Sequence, residues 1–502
     1  MSSYYITTPI YYVNDEPHIG HAYSTILADI ISRYKRLEGA DVFFLTGNDE
    51  HGQKVQDSAT KRGVSPQEHV DEYVKRFQEV WEKLNISHTD FIRTTEKRHT
   101  KQVQSMLQKL FDSNDIYFDE YTGLYSVSEE RYITQTEAAD GNFRDIKELK
   151  ESNYFFRMSS YQDRLIDHIK QNDDFIEPKS RRNEILKFLE KPLNDLCITR
   201  PKKRLSWGIE TPFDSDYVTY VWFDALLNYI TAIGWNSEEK KFNNYWPANI
   251  HIMAKDILVT HSVYWPCMLL AAGIKLPKKI FAHGWWMFDD AKMSKSLGNV
   301  VKPLDLADRF GSDALRYYLM RDMVLGMDAS FSYDNFINRY NSDLANDFGN
   351  LVNRITMLIK KYFNNIIPNH NEFNEDDLAL ISKSKSLSIE VINLINDMKI
   401  HDAIEKNMSH IRSINKYLEI KSPWKRIKDE DGLQDVQTTM FVASNALFIA
   451  TQLIEPVIPK SASKVYNIFS KNPVSLKDIS FGQIQCGEII KDSIVLFPRI
   501  EI

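Results

Sequence analysis

The chain has 502 residues, too many for one compact domain and enough for two to four. A hydrophobic fraction of 43% and a charged fraction of 26% exclude a disordered or fibrous chain. Three scattered cysteines (Cys197, Cys267, Cys486) with no CxxC exclude a disulfide framework and a cysteine-ligated zinc site, and the net charge of −7, taken alone, speaks against a nucleic-acid partner.

Met1-Ser2-Ser3 leads directly into Tyr4–Ile10, an aromatic and β-branched run that predicts a strand. No basic leader or lipidation signal is visible there, so a cytoplasmic protein is expected. Ile26, Leu27, Ile30, Ile31, Tyr34 and Leu37 recur at helical spacing and predict a helix over His21–Glu38, ended by Gly39. Val42–Thr46 reads as a second strand. Val70, Tyr73, Phe77, Val80 and Leu84 mark another helix, and Val103, Met106, Leu107 and Leu110 one more. Strand–helix–strand order of this kind predicts an α/β fold with a doubly wound parallel sheet.

From Ile116 the texture changes. Residues 116–216 are weakly periodic, with a short strand at Tyr121–Val127 and one helix near 160–171, and they read as an insertion that splits the sheet. Strand signals return at Tyr217–Phe223, Ile250–Ala254 and Ile280–His283. The longest uncharged window, Ile257 to Ile274, contains Thr260, His261, Ser262 and Pro266, so it reads as a buried segment and no membrane partner is expected. From Asn346 onward the pattern is helical. Leu387, Val391, Leu394 and Met398 form one stripe, Ile404, Met408, Ile411, Ile414 and Leu418 a second, and Phe441, Leu447, Ala450 and Ile454 a third, as in a helical bundle.

Two short motifs carry chemistry. Pro17-His18-Ile19-Gly20-His21 lies between the first strand and the first helix, at the carboxyl end of a strand where ligands bind in such sheets. Gly20 lets the backbone approach a ligand, and the helix N-terminus favours an anion that two imidazoles can reach. By itself the motif reads equally well as one capping and one surface histidine. Lys292-Met293-Ser294-Lys295-Ser296 follows the last predicted strand and offers charge and hydroxyls to a polyphosphate, although most basic loops are simply solvated.

Together, His-Ile-Gly-His and Lys-Met-Ser-Lys-Ser resemble the paired signatures of class I aminoacyl-tRNA synthetases. The context Thr7-Thr8-Pro9-Ile10-Tyr11-Tyr12-Val13-Asn14, Thr46-Gly47-Asn48-Asp49-Glu50-His51-Gly52 and Tyr220-Val221-Trp222-Phe223-Asp224-Ala225 resembles the methionyl-tRNA synthetase family over the whole chain. The form resembled is the one without a zinc knuckle, since residues 116–216 hold only Cys197 and no structural zinc is expected.

The resemblance implies a Rossmann-like catalytic domain in two halves (1–115 and 217–285). Around and after it come a connective insertion (116–216), a loop and stem-contact region (286–345) and a helical anticodon-binding domain (346–502). It implies a methionine pocket of Ile10, Tyr12, Asp49, Trp222, Ala225, Leu226, Tyr229, Ile257 and His261, with Asp49 receiving the ammonium. A soft thioether packs well among such aromatic edges. It implies ATP binding by His18, Gly20, His21, Asp256, Lys292, Ser294 and Lys295, with His18, His21, Lys292 and Lys295 as the catalytic charges and magnesium accompanying the nucleotide. One departure from the family pattern stands at Ala254-Lys255-Asp256, where glycine is usual in place of Ala254.

For the bundle, the resemblance implies that Asn350, Arg354 and Trp424 bind the CAU anticodon of tRNA(Met); an aromatic and polar set suits unstacked loop bases. Local charge revises the reading of the overall −7. Lys179, Arg181, Arg182, Lys187, Lys191, Arg200, Lys202, Lys203 and Arg204 face only Glu184, Glu190 and Asp195 in their stretch. Arg412, Lys416, Lys421, Lys425, Arg426 and Lys428 face only Glu419. Such patches attract phosphate on an acidic protein, although solvated loops would look the same.

The expected activity is that of a methionine–tRNA ligase working through methionyl-adenylate and releasing AMP and pyrophosphate, for translation initiation and elongation. Two alternatives stay open: a non-catalytic tRNA-binding paralogue and another class I synthetase. Isoleucyl, valyl and leucyl enzymes carry much larger insertions, and a cysteinyl enzyme needs zinc ligands. A monomer is expected, since the dimerising C-terminal domain of some relatives has no counterpart after the bundle.

Overall fold

The computed structural model describes residues 2–14, 16–126, 131–133, 146–288, 291–292 and 301–501. Ser294 and Lys295 lie outside the described residues, and of Lys292 only the backbone is described, in a short strand, Ala291–Lys292.

Six strands form the central sheet: β1 (Ser3–Tyr12), β2 (Asp41–Asp49), β3 (Asp90–Arg93), β4 (Ile176–Glu177), β5 (Ile250–Ala254) and β6 (Ile280–His283). Their order is β3-β2-β1-β5-β6-β4, and every neighbouring pair is parallel. The order runs outward in both directions from the β1/β5 pair, which makes that boundary the switch point of a doubly wound sheet. Burial explains the composition. Val42, Phe43, Phe44 and Leu45 are all covered, as expected where helices pack on both faces.

Helix α1 (Ile19–Leu37) buries the predicted stripe of Ile26, Leu27, Ile30, Ile31 and Tyr34. Its Asp29 is fully buried and held by Arg316 Nη2 at 2.7 Å and Arg33 Nε at 2.8 Å. Arg316, also fully buried, donates to the carbonyls of Pro456 and Val457, so one satisfied ion pair ties α1 to the C-terminal bundle.

The insertion differs from expectation in two respects: beside the expected helix, seen at Gln162–Gln171, it holds another at Lys179–Phe188, and one of its strands joins the central sheet. Its antiparallel hairpin, Ile116–Ser126 against Ile146–Phe156, stands apart from the central sheet, but β4 returns to that sheet as an edge strand beside β6. Two residues are too short to leave a periodic signal. The strand predicted at Tyr217–Phe223 is also corrected. Asp214–Thr219 is a strand of a separate three-stranded sheet, and helix α3 (Val221–Leu226) begins immediately after it. The helix α2 (Lys97–Asp112) precedes the insertion.

The bundle contains α4 (Asn350–Phe363) and the helices Glu375–Asn396, Ile400–Lys421, Gly432–Ile454 and Pro459–Phe469. Its predicted stripes face inward: Met408, Ile411, Ile414, Leu418, Leu447 and Ala450 are fully buried. Among the described residues, no helix is long and apolar enough to cross a membrane.

Candidate active site

A cavity of about 350 Å³ opens at the carboxyl ends of β1, β2, β5 and β6, at the switch point. A β-bulge between Thr7 and Ile10 breaks the β1–β2 register around Pro9, which has no N–H to give the ladder. Beyond the bulge Ile10 pairs with Gly47 and Tyr12 with Asp49, which brings Tyr12 and Asp49 side by side at the rim. All nine residues expected around methionine line this one cavity, from Ile10 to His261.

The chemistry of the wall is polarised. Asp49 is only 5% exposed, and its carbonyl accepts from Val13 N at 3.2 Å, which anchors the end of β2. In the same cavity, Ala225, Leu226, Tyr229 and His261 are buried. His261 Nδ1 donates to the Ile257 carbonyl at 2.9 Å, which leaves Nε2 to accept from the Tyr229 hydroxyl at 2.8 Å. The two polar heads satisfy each other, so the rings present apolar surface to a ligand. Burial holds His261 at about 4, well below the usual imidazole, and pushes the Tyr229 phenol upward. Both are neutral at pH 7.

His18 and His21 open α1 as a reciprocal cap. His18 Nδ1 accepts from Gly20 N at 3.1 Å, and His21 Nδ1 accepts from His18 N at 3.3 Å. Their rings stack with centroids 3.7 Å apart. With both Nδ1 atoms accepting, each neutral ring carries its proton on Nε2, the donor a phosphate needs. The helix-capping reading and the functional reading of His18 therefore describe one arrangement. Gly20 has a further reason: a Cβ there would lie 2.9 Å from His18 Cε1 and displace the capping ring. Both histidines, Gly20 and Asp256 line the same cavity.

The cavity around Asp256 holds residues that the sequence left unassigned. Trp285 Nε1 donates to Asp256 Oδ1 at 3.3 Å, and Lys255 Nζ sits 4.1 Å from the Trp285 ring centre and 2.6 Å from Asp328 Oδ2. Ala254 lines the cavity beside Asp256. His283, at the carboxyl end of β6, is 2.7 Å from Ser24 of α1 and is held by burial at about 4. Asn228 also lines the cavity; its Nδ2 donates to the Ala225 carbonyl, and its buried Oδ1 has no hydrogen-bond partner among the described residues. The position of His283 and Trp285 at the end of a predicted strand was the available signal. Asn228 gave none.

In the bundle, Asn350 begins α4 and is exposed. Arg354, one turn later, places its guanidinium 5.8 Å from the Trp424 ring centre. Trp424 is half-buried and lies outside the core. The basic stretches are less open than their sequence suggests. Arg181, Arg182, Lys202 and Arg204 pair with Glu184, Asp173, Glu210 and Glu151, and Arg200 is buried against the Tyr220 ring. Arg412, Lys421 and Arg426 also meet acids, among them Glu405, Asp435 and Asp431. Lys179, Lys187, Lys191 and Lys203 remain exposed.

Residues 4–142 and 140–356 match the family described as class I tRNA synthetases (M), and residues 367–501 match the anticodon binding domain of methionyl tRNA ligase. Sheet, cavity and matches together define a class I aminoacyl-tRNA synthetase. Methionine–tRNA ligases of Listeria monocytogenes and Bacillus subtilis are 43% and 41% identical over 100% of this chain, which covers 78% of each. The methionyl-tRNA synthetase of Mycobacterium tuberculosis in complex with methionyl-adenylate superposes with a TM-score of 0.96 at 39% identity, over 99% of this chain and 100% of that one. Its apo form gives 0.89 at 36% identity, over 100% and 99%. The chain belongs to the methionine–tRNA ligase family.

Proposed function

We propose that the chain activates L-methionine with ATP as methionyl-adenylate and transfers the methionyl group to tRNA(Met), releasing pyrophosphate and then AMP, for initiation and elongation. The observation that carries this reading is the polarised cavity. One buried carboxylate, Asp49, shares the cavity with an apolar aromatic wall in which the polar heads of Tyr229 and His261 satisfy each other. A zwitterionic amino acid with a soft, uncharged side chain matches that wall.

In this reading Asp49 accepts the ammonium, while Trp222, Ala225, Leu226, Tyr229, Ile257 and His261 enclose the thioether with Ile10 and Tyr12. The methionine carboxylate attacks the ATP α-phosphorus in line, and pyrophosphate leaves. The Nε2–H groups of His18 and His21, at a helix N-terminus, stabilise the charge that grows on the phosphates. Gly20 keeps that cap intact, and Asp256 holds the ribose. Lys292, Ser294 and Lys295 receive the departing pyrophosphate, and ATP enters with its magnesium. The terminal ribose hydroxyl of the tRNA then attacks the activated carbonyl. No covalent enzyme intermediate is required; positioning and charge supply the rate. Asn350, Arg354 and Trp424 read the anticodon loop, with Trp424 stacking on a base. A monomer in a reducing cytoplasm completes the proposal, in keeping with three free cysteines.

Pyrophosphate exchange with ATP, measured across the amino acids, tests the reading. Methionine alone should support efficient exchange. Exchange with no amino acid, or a preference for a branched aliphatic one, would overturn it.

A further inference from the structure

The motifs around Asp49 and Trp222 contain residues that the proposed chemistry does not use. Asp224 stands in α3 between Trp222 and Ala225, yet it is not part of the cavity lining and is fully buried. Its Oδ2 is 2.6 Å from His51 Nδ1, and its Oδ1 is 2.7 Å from His99 Nε2. His99 Nδ1 is in turn 2.8 Å from Thr231 Oγ1. Both carboxylate oxygens thus accept from imidazole N–H groups, which is what makes a charge tolerable at this depth.

The partners come from distant segments. His51 follows Asp49 by two residues, just beyond β2, and His99 lies in α2. The other contacts of the segment after Asp49 lead elsewhere. Trp207 Nε1 donates to the Glu50 carbonyl at 2.6 Å, and Arg93 Nε donates to the Glu50 carboxylate at 2.6 Å. These fix the segment to the insertion and to β3. Asp224 fixes it to α3, the helix that carries Trp222, Ala225 and Leu226.

We propose that the His51–Asp224–His99 cluster is a positioning device for amino-acid selection. It sets the separation between the carboxylate that takes the ammonium and the wall that takes the side chain. The inference rests on the methionine-pocket reading and adds three residues to it, none of which touches substrate. A ligand that must reach both Asp49 and the Trp222 wall is sensitive to their spacing, because small displacements of binding groups are costly. ATP, which in this reading is held by the α1 cap and Asp256, uses neither Asp49 nor the Trp222 wall.

The two histidines donate through different nitrogens, and this gives the test its discrimination. An asparagine amide nitrogen falls near imidazole Nδ1, and a glutamine amide nitrogen falls near Nε2. His51→Asn and His99→Gln therefore keep a donor for Asp224, whereas His51→Gln and His99→Asn lose it. KM values for methionine and for ATP are measured separately by pyrophosphate exchange, with rates normalised by active-site titration. The expected result is a rise in methionine KM of about tenfold in His51→Gln and His99→Asn, with the ATP KM within about twofold of wild type. His51→Asn and His99→Gln should remain close to wild type for both substrates.

A shared rise in both KM values, equal effects of the asparagine and glutamine replacements, or no change in any variant would overturn the inference. Failure of both donor-losing variants to fold would do the same, since the cluster would then serve folding alone. Wild-type exchange is the separate control. If methionine does not support it, the pocket reading fails first and this inference goes with it.

Discussion

The cavity and the bundle face carrying Asn350, Arg354 and Trp424, the two surfaces to which the proposed function assigns recognition, are built in opposite ways. In the cavity, Asp49, Ala225, Leu226, Tyr229 and His261 are buried and come from three separate stretches of chain, and the polar heads of Tyr229 and His261 are tied to each other. On the bundle, Asn350 is exposed and Trp424 half-buried, and both lie at the ends of helices close to one another in the fold. A small ligand with few atoms can be selected only by a preformed enclosure, because each contact contributes little. A loop of RNA brings its own surface and needs only a stacking plane and a few donors. Burial is concentrated where the proposed ligand is small.

The predictions set these two surfaces against each other. The largest effect is expected from Asp49→Ala, which leaves the methionine ammonium without its buried partner. Exchange should fall by about a hundredfold or more in kcat/KM for methionine. Gly20→Ala forces a Cβ to within 2.9 Å of His18 Cε1 and should disturb the histidine cap, with a loss of about tenfold or more in exchange seen mainly in kcat. Trp424→Ala should lower charging of tRNA(Met) by about tenfold while exchange stays at the wild-type rate. An equal fall in exchange would show that the two surfaces are not separable.

A separate effect, on stability and not on recognition, concerns pH. Burial holds His261 and His283 at about 4, below the 6.5 of an unfolded histidine, so both are neutral in the native state. Between pH 6.5 and 4 the unfolded chain takes up protons that the folded chain refuses. The contribution to stability is therefore complete above pH 6.5 and is lost as pH falls toward 4, by about 1 kcal/mol per pH unit for each histidine. The urea midpoint should decrease steadily from pH 7 to pH 5, and His283→Gln should flatten that slope.

Much of the framework was legible because it is periodic. The stripe from Ile26 to Leu37 fixed α1 to within two residues at its start and one at its end, and the apolar run Val42–Thr46 lies inside the longer β2. The true strand extends to Asp49, which is how that carboxylate reaches the cavity. Of the short strands, β6 was found because all four of its residues are buried and its run is apolar, whereas β3, mostly half-buried and charged at both ends, and β4, of two residues, carry too little pattern. Tyr217–Phe223 misled because an apolar aromatic run suits a strand and a buried helix alike. Chemistry was legible where motifs are compact, as in the histidine pair of α1. It was illegible where partners lie 125 and 173 residues apart, as around Asp224. Charge counts overstated the openness of the basic stretches because, Glu184 apart, the acids that pair with them come from outside each window.

The central claim is that one cavity holds the ammonium at Asp49 and the side chain against the Trp222 wall at the same time. Calorimetric titration with methionine and with its deaminated analogue tests it directly. The account predicts saturable binding of methionine, and loss of that binding both for the analogue and in Asp49→Asn. Equal binding of methionine and its deaminated analogue would contradict it.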